Sequence, residues 1–393
     1  MPVPVRPTII VPGIEGSALQ NAYPISPTAT WSTWAAASSS FIAPDFDALA
    51  LSDDALTDRG QDVLTRPNAL LSIAYAKMVS GLQSRTGVPA YVFPYDWRYS
   101  NRISAGLLVS FVDKLLLKKI DIPNGWDRKF DFVCHSMGGL ILRSFLEQWM
   151  SAHGSQPPVG RVVFIATPHL GSLNAAKGLI VGDGVLPGAQ KDMRKLARTF
   201  PSVYELLPLP RNGVMWAERA SVEVDLFQES NWQQNVTPTP EADPNGYDVQ
   251  QQHLDAAAAF LNSLPQPSDP KYGITNDRML VIYGQKEKSA LETVPVGPAP
   301  ENWYDFAGAA LADGDDVVLV GSARLTGVAS VAIRPQDIGW DLLGRIYGAI
   351  ELHPFLPAID EVQTITSRFL QGYPATQLLP VNLARLAPSL YSP

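Results

Sequence analysis

The sequence has little of what defines several protein classes. Cys134 is the only cysteine among 393 residues, so no disulfide can form within the chain, which suits a reducing compartment. No uninterrupted apolar run is long enough to span a bilayer, and the first seven residues lack the charged and then apolar pattern of a secretory signal. These absences predict a cytoplasmic protein, with secretion as the alternative.

Charged residues are also few, at 17% of the chain, and acidic ones prevail, giving a net charge of −8. Because nucleic acids and anionic bilayers attract clustered Lys and Arg, the lack of a dense basic run predicts no nucleic-acid partner. It allows no more than a transient contact with a membrane or lipid surface. One cysteine and five scattered histidines cannot close a zinc site, and no segment has the spacing of a calcium loop. We therefore expect neither a metal nor a cofactor.

What the sequence does contain is an alternation of short apolar runs and helical patterns, in a chain that is 46% hydrophobic. The runs predict buried strands, and the patterns predict helices between them. Strands are predicted at 8–11, 90–93, 129–133, 161–166 and 279–283, and helices at 69–82, 104–119, 137–150 and 360–371. This order predicts an α/β fold with a mostly parallel central sheet and helices on both faces.

The alternation breaks between residues 173 and 277, which contain many aromatics and a proline-rich polar segment. We interpret this stretch as a cap inserted into the sheet domain. The chain then divides into a first core part (1–172), the cap (173–277) and a second core part (278–393). The polar stretch 23–54 is predicted to be loop.

Residues 132–139, with the sequence FVCHSMGG, place a serine between a predicted strand and a predicted helix. In α/β-hydrolases the nucleophile sits on a strained turn of this kind, and the residues two before and two after it must be small. Cys134 and Gly138 meet that condition. The pattern predicts Ser136 as the nucleophile, with an ordinary strand-to-helix turn as the alternative.

A serine nucleophile needs N–H donors for the oxyanion that forms on its substrate. One donor is the amide after the nucleophile, that of Met137. Residues 11–17, VPGIEGS, follow the first predicted strand and can supply the other, for which we select Ile14. The alternative is a glycine-rich turn without catalytic duty.

The base must be a histidine, and the chain order in this fold is serine, then acid, then histidine. His135 and His153 lie close to the serine in sequence, and His169 precedes any suitable acid. His253 opens an apolar helix and fits a structural role. His353 comes last and is the predicted base.

The acid that orients the histidine is expected in residues 312–318, ADGDDVV. We predict Asp315, with Asp316 as the next candidate. Glu287 is the rival because it follows the predicted strand 279–283, although its two lysine neighbours indicate a solvated loop.

Six segments resemble the lecithin:cholesterol acyltransferase family, which includes lysosomal phospholipase A2 and the phospholipid:diacylglycerol acyltransferases. They are 11–17 (VPGIEGS), 95–98 (YDWR), 134–139 (CHSMGG), 167–172 (TPHLGS), 201–208 (PSVYELLP) and 313–318 (DGDDVV). The resemblance implies an α/β-hydrolase fold and a triad of Ser136, Asp315 and His353. Within the YDWR segment we predict Asp96 and Trp97 as substrate-binding residues.

The activity implied is that of a serine esterase or lipase-type acyl hydrolase, or an acyltransferase, acting on lipid or other carboxylic esters through an acyl-enzyme. A catalytically inactive lipid-binding or interaction protein is one alternative. A hydrolase of amides, lactones or thioesters is another.

The sequence departs from the family pattern at three points. Cys134 replaces the usual elbow glycine, and Val317 stands where threonine is usual, so a hydrogen bond near the acid is expected to be missing. The disulfide cysteines of the animal members are absent, which favours a microbial branch.

Overall fold

The computed structural model describes residues 6–22, 26, 28–31, 49–51, 65–70, 72–118, 125–182, 190–237, 248–338, 351–374 and 377–378. The strands are β1 (Thr8–Val11), β2 (Ser17–Asn21), β3 (Thr28–Trp31), β4 (Thr65–Leu70), β5 (Ala90–Val92), β6 (Phe130–His135), β7 (Val159–Ile165), β8 (Trp216–Arg219), β9 (Val222–Val224), β10 (Met279–Gly284), β11 (Lys286–Pro295), β12 (Ala310–Gly314) and β13 (Ala329–Ile333).

The α-helices are α1 (Ser72–Thr86), α2 (Asn101–Leu117), α3 (Gly138–His153), α4 (Leu173–Ile180), α5 (Gln190–Arg198), α6 (Pro201–Tyr204), α7 (Gln251–Ser263), α8 (Val320–Ala323) and α9 (Asp360–Leu370). Short 3-10 helices span Glu229–Asn231, Gln234–Val236, Pro270–Tyr272, Asn276–Arg278, Pro335–Ile338 and His353–Ala358. In these parts of the chain, none of the helices is both long and apolar enough to cross a bilayer.

Six strands form the central sheet in the order β13-β10-β7-β6-β1-β5, and every neighbouring pair is parallel. Adjacent residues of a strand point to opposite faces, and both faces are covered. Ile9 and Phe132 pack in one apolar cluster, whereas Ile10 and Val133 pack in a second. The predicted α/β fold with a parallel sheet is therefore confirmed.

The helix after the YDWR segment starts earlier than the sequence predicts. This helix was predicted at 104–119, but α2 begins at Asn101. Ser100 caps it, because its hydroxyl accepts a hydrogen bond from the Arg102 amide. Ser104 is buried within the first turn.

The prediction that residues 23–54 are all loop is wrong at β3. This strand pairs with β2, which also pairs with β4, in a small antiparallel sheet. Trp31 ends β3, is fully buried, and donates a hydrogen bond from Nε1 to the Glu15 carbonyl oxygen. A strand that depends on such non-local partners carries a weak local signal.

A second sheet, in the order β12-β11-β8-β9, joins the predicted cap to the last part of the chain. Its strands β8 and β9 lie within 173–277, while β11 and β12 lie beyond it, and β8 pairs in parallel with β11. The division into two core parts and a cap stays a prediction. Through this pairing, backbone hydrogen bonds join the predicted cap to the part of the chain that follows it.

Candidate active site

Ser136 occupies the sharp turn between β6 and α3. Its φ of +51° lies in the left-handed region, which is strained for a non-glycine residue and is common at functional sites. The Ser136 amide donates to the Ile165 carbonyl oxygen at 2.8 Å. A Cβ on Gly138 would collide with the carbonyl oxygen of Val11, so a small residue is required there. Cys134, at the other tight position, is fully buried.

The structure brings Ser136, His353 and Asp315 into one hydrogen-bonded line. His353 Nε2 lies 2.8 Å from Ser136 Oγ, and His353 Nδ1 lies 2.8 Å from Asp315 Oδ2. Because a carboxylate only accepts hydrogen bonds, the proton of the neutral ring is on Nδ1, which leaves Nε2 as acceptor for the serine hydroxyl. All three residues are buried, at 5%, 7% and 1% exposure respectively.

The electrostatic environment favours the protonated form of His353. Burial lowers the pKa of His353, but the charge and hydrogen bond of Asp315, with smaller contributions from Glu351 and Asp316, outweigh it, so the pKa is raised above its ordinary 6.5. The histidine can therefore take up a proton from a nearby hydroxyl more readily than a free imidazole would.

Backbone amides hold the carboxylate of Asp315. Its Oδ1 accepts hydrogen bonds from the amides of Val317 at 3.2 Å and Val318 at 2.7 Å, while Oδ2 faces His353. Val317 was expected to leave a hydrogen bond missing near the acid. Two backbone donors, which do not depend on the side chain at position 317, reach the carboxylate instead.

The two rival acids lie elsewhere. Asp316 Oδ1 pairs with Lys286 Nζ at 2.6 Å, and its Oδ2 accepts the Leu352 amide at 2.9 Å. Asp316 thus holds the segment that carries the histidine without touching the ring. Glu287 is exposed on β11. Of the three candidates, only Asp315 meets His353.

The TPHLGS segment and the start of α4 donate hydrogen bonds to the loop that carries Asp315. Ser172 Oγ donates to the Val317 carbonyl oxygen at 2.5 Å, and Asn174 Nδ2 donates to the Asp316 carbonyl oxygen at 3.2 Å. The amide of Leu170 donates to Ser322 Oγ at 3.2 Å. This segment therefore positions the loop that carries Asp315.

The glycine-rich turn after β1 lies against the serine. A Cβ on Gly13 would come within 2.8 Å of Ser136 Cβ, closer than real contacts allow. The amide of Gly13 donates to Tyr75 Oη, and that of Gly16 to the Gly13 carbonyl oxygen. Within the described residues, the amides of Ile14 and its neighbour Glu15 donate no hydrogen bond.

On the other side of the serine, the Met137 amide likewise has no acceptor among the described residues. In the described residues, neither of the two predicted donors, Ile14 and Met137, uses its N–H group in a hydrogen bond. Their predicted role in an oxyanion hole is a proposal developed below.

The YDWR segment is built into the scaffold beside this turn. Arg98 is fully buried and forms a bidentate pair with Asp96, with Nε–Oδ1 at 2.9 Å and Nη2–Oδ2 at 2.7 Å. Trp97 is fully buried and donates from Nε1 to the Ser17 carbonyl oxygen, and the Tyr95 hydroxyl donates to that of Pro12. The polar atoms of Asp96 and Trp97 thus bond protein groups, which leaves the predicted substrate contact without an exposed polar atom.

Sequence reasoning missed one residue of the site, Tyr75 on α1. Its hydroxyl lies 2.7 Å from Nδ1 of His135, the histidine next to the serine, and the other ring nitrogen of His135 lies 3.1 Å from the His353 carbonyl oxygen. No sequence signal marks Tyr75, since it lies in an ordinary helix outside every motif. In the part of the chain that the structure describes, no three His, Cys, Asp or Glu side chains converge as a metal site requires.

Residues 71–256 match the family model described as lecithin:cholesterol acyltransferase. The predicted family resemblance is confirmed. The matched range contains Ser136 and the segments YDWR, TPHLGS and PSVYELLP, but it ends before Asp315 and His353. The placement of those two residues therefore rests on the geometry above. No curated protein matches the sequence.

Several solved structures are similar to this chain, all at low sequence identity. The crystal structure of the Tle4-Tli4 complex is 15% identical, with 97% of this chain and 99% of that chain covered, at a TM-score of 0.58. The mature form of Bacillus licheniformis lipase BlEst2 (14% identity, 85% of each chain, TM-score 0.35) and EstA from Clostridium botulinum (11% identity, 95% and 89%, TM-score 0.35) follow. The overlap with the first extends over almost the whole chain, and the sheet and serine turn described above are those of an α/β-hydrolase.

Proposed function

We propose that this protein is a serine hydrolase that cleaves carboxylic esters, with acyl chains of lipid type as its substrate class. The single observation that carries the proposal is the line of 2.8 Å contacts from Ser136 through His353 to Asp315. That arrangement is the one that activates a serine hydroxyl for attack on a carbonyl. The match to the lecithin:cholesterol acyltransferase model supports acyl esters as the bond attacked.

In the proposed mechanism, His353 Nε2 takes the proton of Ser136 as Oγ attacks the ester carbonyl carbon. Asp315 holds the ring in the Nδ1–H tautomer and stabilises the imidazolium that forms. The amides of Ile14 and Met137 donate to the oxyanion. His353 then protonates the leaving alcohol, and a water molecule or an acceptor alcohol, deprotonated by the same histidine, releases the acyl group from Ser136.

The decisive experiment is steady-state hydrolysis of p-nitrophenyl esters from acetate to palmitate by the wild type and Ser136→Ala. We expect turnover by the wild type, rising with chain length, and loss of at least about 10³-fold in Ser136→Ala. Ser110→Ala is a matched control because Ser110 is an exposed helical serine that bonds only its own helix. Its turnover should equal that of the wild type.

A fluorophosphonate probe separates the alternatives if no ester is turned over. Labelling of the wild type but not of Ser136→Ala would retain an active serine hydrolase with a narrower substrate. Absence of labelling would favour an inactive lipid-binding or interaction protein. A clear preference for amides, lactones or thioesters over matched esters would overturn the ester assignment.

A further inference from the structure

A chain of buried hydrogen bonds joins the turn after β1 to the backbone of the histidine of the triad. The Gly13 amide lies 2.9 Å from Tyr75 Oη, which lies 2.7 Å from His135 Nδ1. His135 Nε2 lies 3.1 Å from the carbonyl oxygen of His353. The mechanism proposed above uses neither side chain, although both are buried within this site.

Every proton in this chain has one allowed position. The His353 carbonyl oxygen can only accept, so His135 Nε2 carries a hydrogen and donates it. In neutral His135, Nδ1 is then an acceptor, which makes Tyr75 the donor to it. Tyr75 Oη in turn accepts the Gly13 N–H. Burial and the neighbouring His353 lower the pKa of His135 well below its ordinary value, which keeps the ring neutral.

The two ends of this chain are groups on which the reaction depends. The Gly13 amide precedes that of Ile14, the proposed oxyanion donor, and a Cβ on Gly13 would touch Ser136. The carbonyl at the other end belongs to the proposed base. A displacement of about 1 Å in either group can reduce the rate about 10²-fold.

We propose that Tyr75 and His135 are positioning residues that fix the oxyanion turn and the backbone of His353 relative to each other. This inference rests on the proposed function. Tyr75 is 3% exposed and His135 5%, so both sit behind the reacting atoms and act through Gly13 and His353.

Two substitutions remove different hydrogen bonds from this series. Tyr75→Phe removes one oxygen and leaves the Gly13 amide and His135 Nδ1 unpaired. His135→Asn keeps an acceptor near the position of Nδ1 but has no donor that reaches the His353 carbonyl oxygen. We expect each to lower kcat by about 10- to 100-fold, with KM changed less than about threefold. The reason is that the displaced groups, the oxyanion turn and His353, act in the transition state.

The double variant is the sharpest test. If the two residues act as one chain, Tyr75→Phe combined with His135→Asn loses no more activity than the worse single variant. Losses in kcat that multiply would overturn the inference. Tyr304→Phe is the matched control, since Tyr304 is equally buried and its hydroxyl donates to the Asn231 carbonyl oxygen at 3.1 Å. It should lose some stability and no kcat.

A readout without turnover keeps the inference testable for a folded but poorly active variant. In 15N-histidine spectra, His135 should hold the neutral Nε2–H tautomer at a pH equal to its ordinary pKa of 6.5, where a free imidazole is half protonated. Tyr75→Phe should shift the His353 signals, whereas Tyr304→Phe should not. Unmoved His353 signals would refute the coupling. Retained hydrolysis by Ser136→Ala would instead refute the proposed function, and wild-type kcat in Tyr75→Phe would refute this inference alone.

Discussion

Replacing Asp96 by Asn separates a scaffold role of the YDWR segment from a role in substrate binding. The substitution keeps the size of the side chain but removes its charge. It also turns one carboxylate oxygen into an NH2 group that faces the donors of Arg98. The guanidinium is fully buried, so the substitution takes away a carboxylate that pairs with its charge in the interior.

The contacts of Asp96 determine how much stability Asp96→Asn should lose. Three hydrogen bonds join the two residues, counting the Arg98 amide to Asp96 Oδ1 at 3.2 Å. Breaking one partner of a buried ion pair costs about 3–5 kcal/mol, out of a total stability of about 5–15 kcal/mol. For a chain of this length, that loss lowers Tm by about 4–6 °C.

The assay is differential scanning calorimetry of wild type and Asp96→Asn, followed by kcat and KM well below the lower transition. Asp360→Asn is the matched control because its carboxylate, 76% exposed, pairs with Arg85 at the surface. An exposed pair contributes about 0–1 kcal/mol, so Tm should move by little more than about 1 °C.

Two outcomes would refute the scaffold argument. If Tm of Asp96→Asn stays within about 1 °C of the wild type, the buried pair does not carry the stability assigned to it. If KM instead rises about tenfold while Tm is unchanged, Asp96 contacts substrate, as the sequence predicted.

The remaining predictions concern the triad and the turn beside it. Asp315→Asn should lower kcat by about 10⁴-fold through the wrong tautomer of His353, whereas Glu287→Gln should leave kcat unchanged; the reverse order would reassign the acid. Because the pKa of His353 is raised above 6.5 and only its neutral form acts as base, kcat/KM should fall as pH drops through a value above 6.5. A pH–rate profile of Asp315→Asn should show that fall at lower pH, and an unmoved profile would contradict the role of its charge. Gly13→Ala should lower kcat about 10²-fold without unfolding the protein, since the added Cβ must displace Ser136. Full activity would show that the turn after β1 moves to accommodate the Cβ and that Ser136 keeps its position.

The central fold was predictable because buried parallel strands are continuous apolar runs, whose signal is local. β1 has the predicted bounds, and Phe130–His135 and Met279–Gly284 differ from prediction by a residue or two. The second sheet was not predictable. Lys286–Pro295 begins with three exposed charged residues, which hide the alternation of a strand, and one of its two partners, β8, lies far away in sequence.

At the site, the elbow pattern selected Ser136, and chain order selected His353. The same reasoning placed the acid in residues 312–318 and preferred Asp315, with Asp316 as the next candidate. Only the structure separates the roles of these two, because adjacent side chains on a turn point in different directions.

Tyr75 could not be found at all, since its significance depends on a helix packing against the turn after β1. The same holds for His135. Its position next to Ser136 in the sequence does not indicate that its ring contacts Tyr75 and the His353 carbonyl oxygen.

The way Asp315 is held has a consequence for finding relatives of this protein. Its carboxylate is fixed by main-chain amides at 317 and 318, and every residue except proline offers such an amide. A side chain other than threonine at position 317 therefore leaves that support intact, and Cys134 likewise fills the tight position before the serine where glycine is usual. A search pattern written in side chains, with threonine and glycine as fixed letters, would pass over such chains even when their geometry is intact. For such chains, a comparison of backbones is the more sensitive search.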